Sequence, residues 1–90
     1  MRVGVEVQGG LADVASAVAT LPWMGPERIV LDDDRFLVVV TTSFENGPEA
    51  CAYAERRLRK SVMALGLEVD VLSTEAYPEV IDLRPIRDLF

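Results

Sequence analysis

Histidine is absent from this chain of 90 residues, and cysteine and tryptophan occur once each. Without histidine, the chain lacks the commonest general base near neutral pH and the commonest metal ligand. Ser-His-Asp and Cys-His catalysis therefore cannot be assembled within it. We interpret the single Cys51 as a small core residue, although a position in the first turns of a helix would favour its thiolate. We expect no catalytic residue, no metal site and no cofactor.

Positive charge is also scarce, with nine Lys and Arg against fifteen Asp and Glu, for a net charge of −6. Nucleic acid and anionic membranes attract basic surfaces, so neither is an expected partner. The cluster "ERRLRK", residues 55–60, is interpreted as a solvated helix face whose cations pair with nearby acids. The first predicted strand, "RVGVEV", also has no aromatic side chain on which an RNA base would stack.

Long apolar runs are missing as well, since none approaches the roughly 20 residues needed to span a bilayer. No signal peptide is expected, because the first residues lack an apolar stretch of sufficient length. A lone cysteine excludes an internal disulfide and is typical of a reducing compartment. We therefore expect a soluble, cytoplasmic protein that consists of one domain.

Half of the residues are hydrophobic, and their spacing predicts the secondary structure. Alternation of Val3, Val5 and Val7 predicts a half-buried strand. Asn46 and Gly66 are typical of the start and the end of a long helix. The predicted elements are a strand at 2–8, a helix at 11–21, a hairpin made of "RIVL" and "RFLVVVTTSFE", a helix from about 46 to 66, and a strand at 67–73.

This order predicts an α+β fold with the ferredoxin-like βαββαβ arrangement. Four antiparallel strands would form the sheet, and both helices would cover one of its faces. We place the domain at residues 1–74. Residues 75–90 are interpreted as a C-terminal extension that packs on the sheet or on a partner.

Three consecutive aspartates, Asp32, Asp33 and Asp34, separate the two strands of the predicted hairpin. A magnesium site uses carboxylates on a pre-organised frame, and consecutive residues cannot all point at one ion. Aspartate is also a preferred turn residue, because its side chain bonds nearby backbone N–H groups. We therefore interpret the three aspartates as a turn.

The second strand of the hairpin is apolar on both sides, with Phe36, Val38 and Val40 on one and Leu37 and Val39 on the other. Such a strand is normally buried on both faces. The face away from the helices should therefore meet the C-terminal extension, a second copy of the chain or another protein. We predict a non-catalytic interaction module with these contact residues: Leu37, Val39, Ile86, Leu89 and Phe90.

The stretch "GGLADVASAVATL", residues 9–21, resembles the start of the first helix in ACT domains, which are ferredoxin-like regulatory modules. That resemblance implies a dimer that senses a small molecule such as an amino acid, bound at Gly9, Gly10 and Leu11. A tight strand-to-helix turn is the alternative interpretation of the glycine pair. The predicted fold also resembles dimeric α+β-barrel enzymes, in which carboxylates such as Glu6 would act.

Trp23 and Met24 lie in a connection flanked by prolines, "PWMGPE". They have two interpretations, which the sequence leaves open. The pair either packs against a helix end or forms an exposed anchor for a binding partner.

Overall fold

The structure is a computed structural model that describes residues 1–77; Ile86, Leu89 and Phe90 lie outside the described residues. It is an α+β fold with a four-stranded antiparallel sheet and two helices, as predicted. The elements are β1 (Arg2–Gly9), α1 (Leu11–Ala19), a 3₁₀ turn (Pro22–Met24), β2 (Glu27–Val30), β3 (Arg35–Thr41), α2 (Gly47–Leu65) and β4 (Val69–Tyr77).

The strands lie in the order β2-β3-β1-β4, so β3 and β1 are central, and every neighbouring pair is antiparallel. β2 and β3 form the predicted hairpin, in which Ile29 pairs with Leu37 and Val30 with Phe36. β4 runs to Tyr77, beyond residue 74 where the sequence places the end of the domain. Pairing with β1 sets this length, because Tyr77 lies opposite Arg2.

The core lies between the helices and one face of the sheet. Val3, Val5 and Val7 supply its centre and are at most 1 % exposed. The other core side chains come from β3, from both helices and from the segment between α1 and β2: Phe36, Val38, Val40, Val14, Ala17, Ala50, Ala54, Leu58, Leu21 and Met24. Side chains alternate across a strand. The intervening residues therefore form a second face, which we call the open face.

The ends of the helices have local causes. The Asn46 side chain accepts a hydrogen bond from the Glu49 N–H at 3.1 Å, which caps α2 as predicted. Gly66 ends α2 with φ 64°, a left-handed conformation that favours glycine. α1 ends at Ala19, two residues before the predicted end. Pro22 accounts for the difference, because a proline disfavours helical backbone at the residue before it, here Leu21.

Within residues 1–77, no helix is long and apolar enough to cross a membrane.

Candidate functional site

The centre of the open face is formed by residues that lie side by side in the sheet. Val39 pairs with Gly4 on one side and with Glu27 on the other. A Cβ atom on Gly4 would come within 2.7 Å of the Tyr77 ring and hydroxyl, so the ring lies over Gly4. Val39 is 6 % exposed, and it is thus largely covered within one chain. Its contact with a partner stays a prediction.

Two ion pairs cross the open face beside this centre. Arg35 Nη1 lies 3.2 Å from Glu6 Oε2, and Arg2 Nη2 lies 3.6 Å from Glu27 Oε2. Each pair joins a residue of β1 to the hairpin. Glu6, the carboxylate that an enzyme of the barrel type would use, is therefore paired with a permanent cation. As a group, these four side chains carry no net charge.

The outer strand β2 carries exposed apolar side chains on both of its sides. Ile29 is 45 % exposed and lies on the open face beside Leu37, the half-buried residue that it pairs with on β3. Val30 faces the helix side and is 67 % exposed, and the following Leu31 is 45 % exposed. Ile29, Val30, Leu31 and Leu37 together are called the β2 edge patch below. The β2 edge patch is therefore apolar surface that a binding partner could reach, whereas Val39 is nearly inaccessible.

The three aspartates form the turn of the hairpin, as predicted. The Asp33 N–H donates to Asp32 Oδ1 at 2.8 Å, and Gln8 Nε2 donates to Asp34 Oδ2 at 3.0 Å. Asp32 also lies 3.8 Å from the Arg35 guanidinium. The carboxylates thus have different partners. Across residues 1–77, no three metal-binding side chains form a group that would hold an ion.

The glycine pair before α1 joins β1 to its neighbours. The Gly9 N–H donates to the Asp34 carbonyl at 2.8 Å, and a Cβ on Gly9 would lie 2.8 Å from the Glu68 carbonyl. Gly10 precedes α1 in an extended conformation, and Leu11 is 56 % exposed. The close approach of the Glu68 backbone explains why position 9 is a glycine. A ligand at Gly9, Gly10 and Leu11 stays a prediction.

Cys51 packs against the core from the first turns of α2 and is partly buried. Burial raises the pKa of its thiol above the ordinary value, and the negative charges of Glu55 and Glu75 raise it further. A raised pKa reduces the thiolate fraction, and it is the thiolate that reacts. The structure therefore favours the interpretation of Cys51 as a packing residue over that of a reactive thiol.

Comparisons of the chain with protein-family models, with curated proteins and with solved structures found no match. The structure places Leu37 and Val39 together on the open face, with Gly9, Gly10 and Leu11 at one end of β1. Sequence reasoning placed "RIVL" in a hairpin strand, but it did not name Ile29 and Val30 as contact residues. It also missed Tyr77, for which the sequence offers no signal.

Proposed function

We propose that this protein is a small, non-catalytic module that associates with a second copy of itself through the open face and the β2 edge patch. The exposure of Ile29 and Val30 in an outer strand, and of Leu31 directly after it, is the observation that carries the proposal. We also infer that the domain is of the ferredoxin-like type. The order of its elements and the strand order β2-β3-β1-β4 support that assignment.

An outer strand is suited to association because one row of its backbone N–H and C=O groups faces away from the sheet. Such a row is a template for pairing with another strand, and soluble proteins commonly protect it with charge, proline or a covering segment. β2 has two charged residues, Glu27 and Arg28, followed by the apolar Ile29 and Val30. The apolar half of the strand would supply the side-chain contact, and its backbone would supply hydrogen bonds.

Charge acts on the association of two copies in two opposing ways. The chain has a net charge of −6, so two copies repel each other in general. The ion pairs of Arg2 with Glu27 and of Arg35 with Glu6 neutralise four charged side chains of the open face, while the exposed Glu75, opposite Gly4, adds a negative charge to it. The C-terminal residues Ile86, Leu89 and Phe90 are proposed to add apolar contacts to the same assembly.

Substitution of the two apolar residues of the open face tests this proposal. Ile29→Ser combined with Leu37→Ser removes apolar side chains that would be buried between copies. Each fully buried side chain of this size contributes about 1.5–3 kcal/mol, and about 1.4 kcal/mol corresponds to a tenfold change in Kd. Less than half of each side chain is left to bury, since Ile29 is 45 % exposed and Leu37 is half-buried, so we expect the double variant to weaken self-association about tenfold. Light scattering coupled to size-exclusion chromatography measures the mass of each variant.

The matched control is Leu65→Ser, which makes the same change at an exposed leucine (51 % exposed) near the end of α2. It should retain the mass of the unaltered chain. Circular dichroism shows whether all variants keep the fold. Equal masses for the double variant and the unaltered chain would contradict the proposal.

A further inference from the structure

A small cavity lies on the helix side of the sheet, between the end of α1, the 3₁₀ turn and α2. Its volume is about 230 Å³, and its walls include Thr20, Trp23, Arg57, Lys60 and Ser61. Neither the open face nor the glycine pair before α1 contributes to these walls. The cavity therefore stands apart from the proposed association surface.

Arg57 lies at the wall of this cavity and forms no ion pair within residues 1–77. Its guanidinium carbon lies 5.2 Å from the centre of the Trp23 ring, a cation–π contact that orients the charged group. Its Nε is buried and has no hydrogen-bond acceptor among residues 1–77. No carboxylate of the described chain forms an ion pair with Arg57. The buried Nε lies out of reach of a ligand, so the Nη groups of Arg57 are the donors that the cavity can offer to an anion.

Lys60 brings a second cation to the same wall. It follows Arg57 by three residues on α2, and like charges at this helical spacing repel each other. As with Arg57, no ion pair joins Lys60 to a carboxylate in the described part of the chain. The nearby end of α1 supplies the equivalent of only about half a negative charge, which cannot neutralise two cations. The cavity wall thus has an excess of positive charge in a chain that is acidic as a whole.

The hydroxyl groups of the cavity are already engaged with protein atoms. Thr20 Oγ1 donates to the Ala17 carbonyl at 2.7 Å and lies 2.6 Å from Ser61 Oγ. Ser61 Oγ also lies within hydrogen-bond distance of the Arg57 carbonyl, at 3.2 Å. The single proton of each hydroxyl is used in these bonds. The donors left for an anion are therefore those of the two cations.

We propose that this cavity binds a small oxyanion, either a carboxylate or a phosphate group, between Arg57 and Lys60. Arginine suits this task because its planar fork of donors matches the oxygens of either group. The anion neutralises the pair of cations on α2. Trp23 holds the guanidinium in place and adds an apolar wall, which gives this exposed tryptophan a role in the site.

Trp23 is the only tryptophan of the chain, so its fluorescence reports on this cavity alone. The experiment titrates the full chain with sodium phosphate and, in a second arm, with sodium acetate, at constant ionic strength maintained with sodium chloride. We expect a saturable change in Trp23 emission. Tighter binding of phosphate identifies a phosphate group as the preferred ligand, and tighter binding of acetate identifies a carboxylate. Arg57→Gln should weaken the binding at least tenfold.

Arg56→Gln is the matched control, because it removes the neighbouring arginine, which contacts Tyr53 rather than Trp23. It should bind the anion with nearly unchanged affinity. Circular dichroism establishes that both variants are folded. Lys60→Gln provides a second variant on the exposed side of the cavity, and it should also weaken binding.

The proposal is overturned if neither anion produces a saturable change in Trp23 emission. It is equally overturned if Arg57→Gln and Arg56→Gln lose affinity to the same extent, since binding would then follow the total charge of α2. In that case Arg57 and Lys60 would serve only to offset the negative end of α1.

Discussion

Glu55 connects the long helix to the last strand, and it shows how one side chain links elements in this small domain. Its carboxylate accepts hydrogen bonds from the Thr74 hydroxyl at 2.9 Å and from Arg59 Nε at 3.0 Å. The bond from Thr74, and then that from Arg59, hold the pKa of Glu55 below its ordinary value of 4.5. The ionised form is therefore the one that stabilises the contact between α2 and β4.

Thr74→Val should raise the pKa of Glu55 toward its ordinary value, because the larger of the two causes of its depression is removed. The folded pKa lies below the unfolded one, so this contribution to stability is complete above about pH 4.5 and is lost as the pH falls through the folded pKa. We expect the variant to be less stable by about 0.5–1.5 kcal/mol at pH 7. The difference should shrink in acid.

Urea unfolding of both proteins between neutral and acidic pH measures this difference, and an NMR titration of Glu55 gives the pKa directly. Thr74→Ser is the control, since it retains the hydroxyl that donates to the carboxylate. An unchanged Glu55 pKa in Thr74→Val would show that Arg59 alone determines the depression.

The packing of the Tyr77 ring over β1 depends on the absence of a side chain at Gly4. Because the Tyr77 ring occupies the space above Gly4, Gly4→Ala places a methyl group about where the ring lies. The ring is the far end of a side chain, so we expect it to rotate away while the sheet persists. The NMR signals of the Tyr77 ring should shift in the variant, and the circular dichroism of the sheet should stay the same. Loss of the sheet signal would show that the ring cannot move.

Among the elements, α2 has the clearest local signals in the sequence. Asn46 caps its start, Pro48 stands in its first turn, and Gly66 ends it in the left-handed conformation. Asn46→Ala should destabilise the protein by about 1 kcal/mol, because the Glu49 N–H loses its acceptor. Thermal unfolding measures the loss. Asn46→Asp retains an acceptor and should keep most of the stability, whereas equal losses in both variants would exclude capping as the cause.

The elements that sequence reasoning placed correctly are those defined by nearby residues. The alternation of Val3, Val5 and Val7 and the cap at Asn46 involve residues close together in the chain, so their patterns are visible in the sequence. The length of β4 was underestimated, because Glu75 and Tyr77 become strand residues by pairing with Gly4 and Arg2. That pairing joins opposite ends of the described chain, so no local sequence pattern indicates it.

The same limit applies to the candidate sites. Leu37 and Val39 were predicted from strand alternation to lie on the open face, and they do. The sequence left open whether Val39 would be covered within one chain or by a partner, and it did not indicate that Ile29 and Val30 would remain exposed. The cavity beside Arg57 was also missed, because it depends on the distant Trp23 meeting α2. Contacts of this kind follow from the packing of whole elements.

For the molecule as a whole, the central claim is that an outer strand with exposed apolar residues makes the protein a self-associating module. Sedimentation equilibrium of the unaltered 90-residue chain over a wide range of concentrations tests it most directly. We expect a reversible assembly with twice the chain mass of 9.9 kDa at the higher concentrations. A mass of 9.9 kDa at every concentration, up to the limit of solubility, would contradict it.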